Sequence, residues 1–393
     1  MSKGIYWLAA LWIGLSACAV QAAQSGAAAR DSAPAQELAV IGYYTGDGRD
    51  LARYDFDRLT HVIFSFVHLD GNRVAFDSAE AIAAYRRLVA LKKSHPRLKV
   101  MFSLGGWGGC ETCSPVFANA ENRRAFAQSV LKTLQQYGGD GIDLDWEYPS
   151  IAGYPGHAYS AADRAHFTAL VRELRATLGD DTLLTFAAGG FDEYLHKAVD
   201  WRALAPLVSY INLMSYDLVN GFSTVTGHHS PLYSTARQKD SVDNGVRFLL
   251  GRGVPARKIV IGAAFYSRVW KQVAPQRDGR YEPGVHVAGL PYREILHSYD
   301  AAHGYKLLWD DRAKAPFAYN ADKHLYATFD NRRSVTLKTR YAREEGLGGI
   351  MFWQLPGDSD SEGLLEAIDA EKRAGKARAG HGVAAEDGAR GAG

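Results

Sequence analysis

The sequence predicts an α/β fold, a (β/α)8 TIM barrel with a small α+β insertion between its seventh and eighth strands. Eight strand-like apolar runs recur along the 393 residues. Helical patterns lie between several of them. The stretch before the last run is too long for a single strand–helix unit.

The runs are AVIGYY (39–44), HVIFSFV (61–67), KVMFSLGG (99–106), GIDLDW (141–146), LLTFAAG (183–189), VSYINLMSY (208–216), IVIGAAFY (259–266) and GGIMFWQL (348–355). Most are nearly continuous in apolar residues, as parallel strands buried on both faces should be. Two intervening segments carry clear helix periodicity. Over 118–138, Phe126, Val130, Leu131, Leu134 and Tyr137 fall on one face. Over 160–179, Phe167, Leu170, Val171, Leu174 and Leu178 do the same, with Ser160 and Asp163 as a capping-box-like start and Gly179 as a stop. Repeated alternation of this kind describes a closed barrel. A doubly wound open sheet is the alternative, and eight strands without a nucleotide fingerprint favour the barrel.

Between Tyr266 and Gly348 the chain has roughly twice the length one strand–helix unit needs. Residues 268–329 are rich in Tyr, Gly and Pro and are expected to form a small α+β subdomain. It leaves from the C-terminal end of a strand, the face where barrel active sites lie. It should therefore wall a cleft.

The barrel domain is expected over 38–370. Ahead of it, Lys3 and the apolar run from Ile5 to Leu15 read as a leader over 1–22, too short for a mature membrane span. Two processing routes compete. Val20-Gln21-Ala22 resembles a signal-peptidase site. Leu15-Ser16-Ala17-Cys18 resembles a lipobox, whose lipidated Cys18 would anchor the chain to a membrane. Either route predicts a secreted or cell-envelope protein. Residues 23–37 read as a small-residue linker and 371–393 as a disordered tail. Beyond Cys18 the only cysteines are Cys110 and Cys113. Zinc would need a second pair of ligands nearby, and none is spaced for it. An exported chain points instead to a local disulfide.

The formal net charge of +2 argues against a nucleic-acid partner. The 8 tryptophans and 21 tyrosines suit a surface that stacks on flat ligands, although core packing accounts for most of them. No metal or organic cofactor is implied, and a monomer is expected. His228-His229 is read as a loop pair rather than a metal site. GGWGG (105–109) lacks both the dinucleotide spacing and a phosphate-loop lysine.

The chemistry concentrates in DGIDLDWEYP (140–149). Side chains alternate along a strand, so Asp143, Asp145 and Glu147 share one face and Ile142, Leu144 and Trp146 the other. In a barrel the apolar face meets the helices and the acidic face points inward. Successive carboxylates then stand roughly 6–7 Å apart. They cannot all ionise cheaply, so a proton is shared within the row and some pKa values rise. A carboxylic acid kept protonated near neutral pH is what general-acid catalysis requires. A calcium or magnesium site is the alternative, but such sites favour flexible loops over strands.

These residues match the D-x-x-D-x-D-x-E signature, and the chain resembles glycoside hydrolase family 18, the chitinases. Ser103-Leu104-Gly105-Gly106 is similar to the family's S-x-G-G, Met214-Ser215-Tyr216-Asp217 to its M-x-Y-D, and Phe265-Tyr266-Ser267-Arg268 to its F-Y-x-R. Trp353 stands where the family has a tryptophan floor. The resemblance covers roughly residues 38–370, and the insertion is similar to the family's chitin insertion domain. It implies a general-acid role for Glu147. Asp145 would hold the substrate's acetamido N–H, Asp143 would share its proton, Tyr216 would bond the acetamido oxygen, and Asp217 would assist there. The nucleophile would be the substrate's own acetamido oxygen. Trp353 would stack under the sugar. Tyr43 or Tyr44, Phe64, Trp107, Tyr266 and Arg268 would line the cleft, with Ser103, Gly106 and Met214 from the flanking motifs. For each aromatic, plain barrel packing is the alternative. Phe222 stands where deep-groove relatives often carry tryptophan.

The resemblance implies hydrolysis of chitin or chitin oligosaccharides with retention. An endo-β-N-acetylglucosaminidase, a peptidoglycan hydrolase and a non-enzymatic chitinase-like lectin are the alternatives. Such lectins usually lack the catalytic Glu or the preceding Asp, and both are present here.

Overall fold

The computed structural model describes residues 37–375. Cys18, the expected leader, all of the expected linker but Glu37, and the chain beyond 375 lie outside the described residues. The chain enters through β1 (Ala39–Tyr44) and β2 (His61–Asp70), then folds back as the short β3 (Arg73–Ala75). It continues through β4 (Lys99–Gly105), β5 (Gly141–Asp145), β6 (Leu183–Gly189), β7 (Tyr210–Met214) and β8 (Ile259–Ala264). Five short strands follow: β9 (Arg268–Lys271), β10 (Val285–Val287), β11 (Lys306–Asp310), β12 (Ala315–Asn320) and β13 (Leu325–Thr328). The last strand is β14 (Gly349–Trp353).

All strands but β3 and the five short ones are mutually parallel, and they close on themselves. The order runs β1, β2, β4, β5, β6, β7, β8, β14 and returns to β1. This is the (β/α)8 barrel. The helices outside it are α1 (Ala79–Ala90), α2 (Cys113–Ala118), α3 (Ala120–Tyr137), α4 (Asp163–Leu178), α5 (Asp192–Lys197), α6 (Trp201–Leu204), α7 (Val242–Gly251) and α9 (Arg332–Glu344). The short α8 (Tyr292–Ser298) belongs to the insertion, and a final helix, α10, spans 364–375. No helix among the described residues is long and apolar enough to cross a membrane.

The helix expected over 118–138 is α3, which starts at Ala120 because the Asn119 side-chain oxygen accepts from the N–H groups of Glu121 and Asn122. Two other sequence expectations need correction. The capping box at Ser160 and Asp163 is half formed. The Asp163 carboxylate accepts from the Ser160 N–H at 2.7 Å, but the Ser160 hydroxyl serves Ala162 rather than Asp163. Order also runs past residue 370. Glu371 is buried and takes Arg340 in a two-pronged ion pair, so α10 docks on α9.

The alternation along β5 divides two cores. Ile142, Leu144 and Trp146 face outward, with Trp146 packed against Phe117 and Phe167 at 5.8 and 6.1 Å between ring centroids. Inside, Ile41, Ile63, Met101, Val260 and Met351 plug the barrel. Fully burying one such side chain contributes about 1.5–3 kcal/mol. The plug gives the acidic residues above it a dry floor.

The five short strands form one antiparallel sheet in the order β10, β9, β13, β12, β11. It has its own apolar centre in Trp270, Val273, Phe317, Tyr319 and Tyr326. β9 begins four residues after β8 ends, so the insertion rises directly from the barrel's C-terminal mouth.

Candidate active site

The barrel positions a column of polar groups above its apolar plug. Asp143 is fully buried in the middle of β5. Its Oδ2 accepts from the Tyr43 hydroxyl at 3.1 Å and the Ser103 hydroxyl at 2.8 Å. Its Oδ1 accepts from Thr185 at 2.6 Å and the Asn212 amide at 3.1 Å. The four donors come from four other strands. Burial pushes the Asp143 carboxyl above its ordinary range, and these donors pull against it.

Asp145, two residues on, is held differently. It is buried, and its Oδ1 has no hydrogen-bond partner among the described residues. Burial, then the charges of Glu147 and Asp143, push its pKa well above the ordinary carboxylate value. Burial raises the whole row, and the donors around Asp143 oppose that rise there, whereas like charges add to it at Asp145. Glu147 follows the end of β5 and lines the cleft. Burial raises its pKa to about 7, helped by the charge of Asp217 and opposed by a hydrogen bond with Tyr148. The fourth carboxylate of the motif stands apart. Asp140 pairs with Lys92 at 2.8 Å and caps the Val100 N–H.

Across the mouth, Asp217 is locked to Arg268 by two hydrogen bonds of 2.7 and 2.6 Å. Burial would raise the Asp217 pKa, but Arg268 and then His229 hold it well below the usual range. His229 is fully buried, with Nδ1 3.5 Å from Asp217 and its ring against Tyr266. Its neighbour His228 is turned away to Asp310 at 3.1 Å. Among the described residues no cluster of His, Cys, Asp and Glu could hold a metal ion. Burial keeps the Tyr216 hydroxyl protonated, with its pKa raised well above normal.

These groups open into a cleft of about 940 Å3. Of the residues singled out from the sequence, Asp145, Glu147, Tyr43, Trp107, Met214, Tyr216, Asp217, Tyr266, Arg268 and Trp353 line it. Trp353 stacks on Phe66 at 5.4 Å and 16°. Phe222 also lines the cleft, 67% exposed and 6.0 Å from Trp107.

Phe64, Ser103, Gly106 and Tyr44 do not line it. Phe64 packs outside the barrel against Phe76 and Tyr85. The reason is parity: Ile63 pairs in register with the inward-facing Tyr43, so Phe64 must point out. Ser103 lies beneath the cleft as a buried donor to Asp143, and Gly106 donates its N–H to the Asp145 carbonyl at 2.9 Å. The Tyr44 hydroxyl bonds Asp50.

Several site residues were not singled out from the sequence. Thr185 and Asn212 were legible as lone polar residues inside buried strands, on the inward parity of Asp143. Phe66 had no such signal, because the β2–β4 register shifts between Ser65 and Val67 and turns it into the cleft. Tyr148 and Phe191, packed together at 5.4 Å, complete the wall.

A carboxyl of raised pKa at a barrel mouth, a buried acceptor beside it and an aromatic-walled cleft fit a glycan-cleaving (β/α)8 hydrolase. The chain belongs to the glycosyl hydrolases family 18, whose model matches residues 39–358. It is 34% identical to Chitinase A1 of Niallia circulans over 69% of this chain and 42% of that one. It is 32% identical to Chitinase B of Serratia marcescens over 79% of this chain and 76% of that one. Among solved structures, a family 18 N-acetylglucosaminidase from Paenibacillus barengoltzii superposes with a TM-score of 0.78 at 33% identity, covering 85% of this chain and 99% of that chain.

Proposed function

We propose that the chain is a retaining chitinase that hydrolyses β-1,4-linked N-acetylglucosamine polymers, with the substrate's acetamido oxygen as nucleophile. One observation carries the mechanism: Glu147, its pKa raised by burial to about 7, lines the cleft with a buried Asp145 whose Oδ1 lacks a donor among the described residues. Glu147 gives its proton to the leaving glycosidic oxygen. Asp145 accepts the acetamido N–H and so turns the acetamido oxygen toward the anomeric carbon. Tyr216 donates to that oxygen. Asp143, fixed by four donors beneath Asp145, shares the proton of the row and supports the positive charge that develops above it.

Most retaining glycosidases use a second carboxylate about 5–5.5 Å from the acid as the nucleophile. Asp217 is the remaining carboxylate that lines the cleft, and both its oxygens are engaged by Arg268. Asp145 shares the acid's side of the sugar. Trp353 and Phe66 supply the flat floor, and Trp107 and Phe222 extend it.

Glu147→Gln should cut hydrolysis of N-acetylglucosamine oligomers by about a thousandfold while leaving oligomer binding intact. Near-normal turnover in that variant would overturn the reading. Parallel digests of chitotetraose, an N-glycan and muropeptides separate a chitinase from the two neighbouring activities.

The same reading includes export. It is supported by the leader-like residues 1–22 and by the bonded Cys110 and Cys113, which fit an oxidising compartment. Mass spectrometry of the mature N-terminus tests it: a lipidated Cys18 or a start after Ala22 supports export, and an intact Met1 contradicts it.

A further inference from the structure

We propose that the cleft continues past Trp107 into a second sugar-binding hollow, with Tyr154 as its stacking platform. The inference rests on the reading of the chain as a hydrolase of N-acetylglucosamine polymers, and it assigns a place to the distal units of long substrates.

The hollow holds about 580 Å3 between the glycine–cysteine loop that follows β4 and the segment 154–157. Pockets of this size take small ligands. Phe66 and Trp107 line both this hollow and the catalytic cleft, so one extended glycan can occupy the two together. Trp107 is 47% exposed and Tyr154 41%. Exposed rings this large are uncommon, and here they form a series. Phe222 lies 6.0 Å from Trp107, Trp107 lies 5.6 Å from Tyr154, and Tyr154 lies 4.8 Å from the His157 ring. Pyranose units present apolar faces that such rings cover, with polar edges left over for hydrogen bonds. Glu111 and His157 flank the rings and can serve those edges. Neither Lys nor Arg is among the residues that line the hollow, which matches a neutral glycan rather than an anionic one.

The cysteine pair acquires a purpose in this arrangement. Gly108 has φ of +89°, and a Cβ there would stand 3.2 Å from the Tyr154 ring. Glycine therefore lets the loop pass under Tyr154. The Cys110–Cys113 bond, with both cysteines buried, holds that loop in place. A platform fixed before binding loses less entropy when the sugar arrives.

The test uses the Glu147→Gln protein, which holds substrate without turning it over. Calorimetry compares N-acetylglucosamine trimer and hexamer binding in this background with and without Tyr154→Ala. The hexamer should bind about fivefold more weakly when Tyr154 is lost, and the trimer equally well. Tyr154→Phe should restore hexamer affinity, because it keeps the ring face. An unchanged hexamer affinity, or equal losses for trimer and hexamer, overturns the inference alone. Failure of the Glu147→Gln protein to bind either oligomer overturns the substrate reading as well.

Discussion

Arg268 grips Asp217 through two parallel hydrogen bonds, Nε to Oδ1 at 2.7 Å and Nη2 to Oδ2 at 2.6 Å. Arg268 opens the insertion sheet and Asp217 follows barrel strand β7. The pair therefore ties the insertion to the catalytic mouth and keeps a negative charge near Glu147. Arg268→Lys cannot reproduce the planar fork. It should lower kcat at least tenfold and cost about 1–3 kcal/mol of stability, read from steady-state kinetics and thermal unfolding. Unchanged kcat would remove the pair from the catalytic account.

The charge of Asp217 helps hold the Glu147 pKa at about 7. The proposed mechanism needs the protonated acid, so kcat/KM should fall as pH rises through about 7. Asp217→Asn removes the charge. The alkaline limb of its pH profile should then move to lower pH, whatever happens to the absolute rate. A limb that stays in place would deny the coupling.

The same proton affects folding. The folded pKa of Glu147, about 7, lies above the ordinary 4.5, so the native state binds the proton more tightly than the unfolded chain. The stability from this group is complete below the unfolded value and is lost as pH rises through the folded one. Glu147→Gln escapes that loss. The variant should exceed the parent by about 1–3 kcal/mol near pH 8, and the gap should close near pH 4. Denaturant unfolding at the two pH values checks it.

Gly262 on β8 underlies the Tyr216 ring. A Cβ at that position would lie 2.8 Å from two ring carbons and 2.9 Å from the Leu213 carbonyl oxygen. Gly262→Ala should displace Tyr216, lower kcat more than it raises KM, and cost about 1–3 kcal/mol. A variant with parental kcat would show that the position of Tyr216 is not critical.

The Asp143 donors make a further case. Thr185→Val removes the 2.6 Å hydrogen bond but keeps the shape. Asp143 then loses a partner while buried, at about 1–3 kcal/mol, and its pKa should rise. A kcat loss of about tenfold with KM held would mark Thr185 as a positioning residue; KM loss alone would contradict that role.

Much of this architecture was legible because burial writes periodicity into a chain. Eight apolar runs give eight barrel strands, and the alternation in DGIDLDWE gives an inward acidic face. The errors arise where local geometry escapes periodicity. Phe64 was misassigned although parity with Tyr43 and Ile63 settles it, and Phe66 was hidden by a register shift that no pattern announces. The Asp217–Arg268 lock and the His229 ring join segments far apart in sequence. Thr185 and Asn212 could have been found as lone polar residues on buried strands.

The central claim is that Glu147 supplies the proton and the substrate's acetamido group supplies the nucleophile. The most direct test compares initial rates on N-acetylglucosamine tetramer and its fully deacetylated counterpart at equal concentration. The account predicts rapid cleavage of the first and no detectable cleavage of the second. Comparable rates on the two would mean that the nucleophile comes from the protein, and the account would fail.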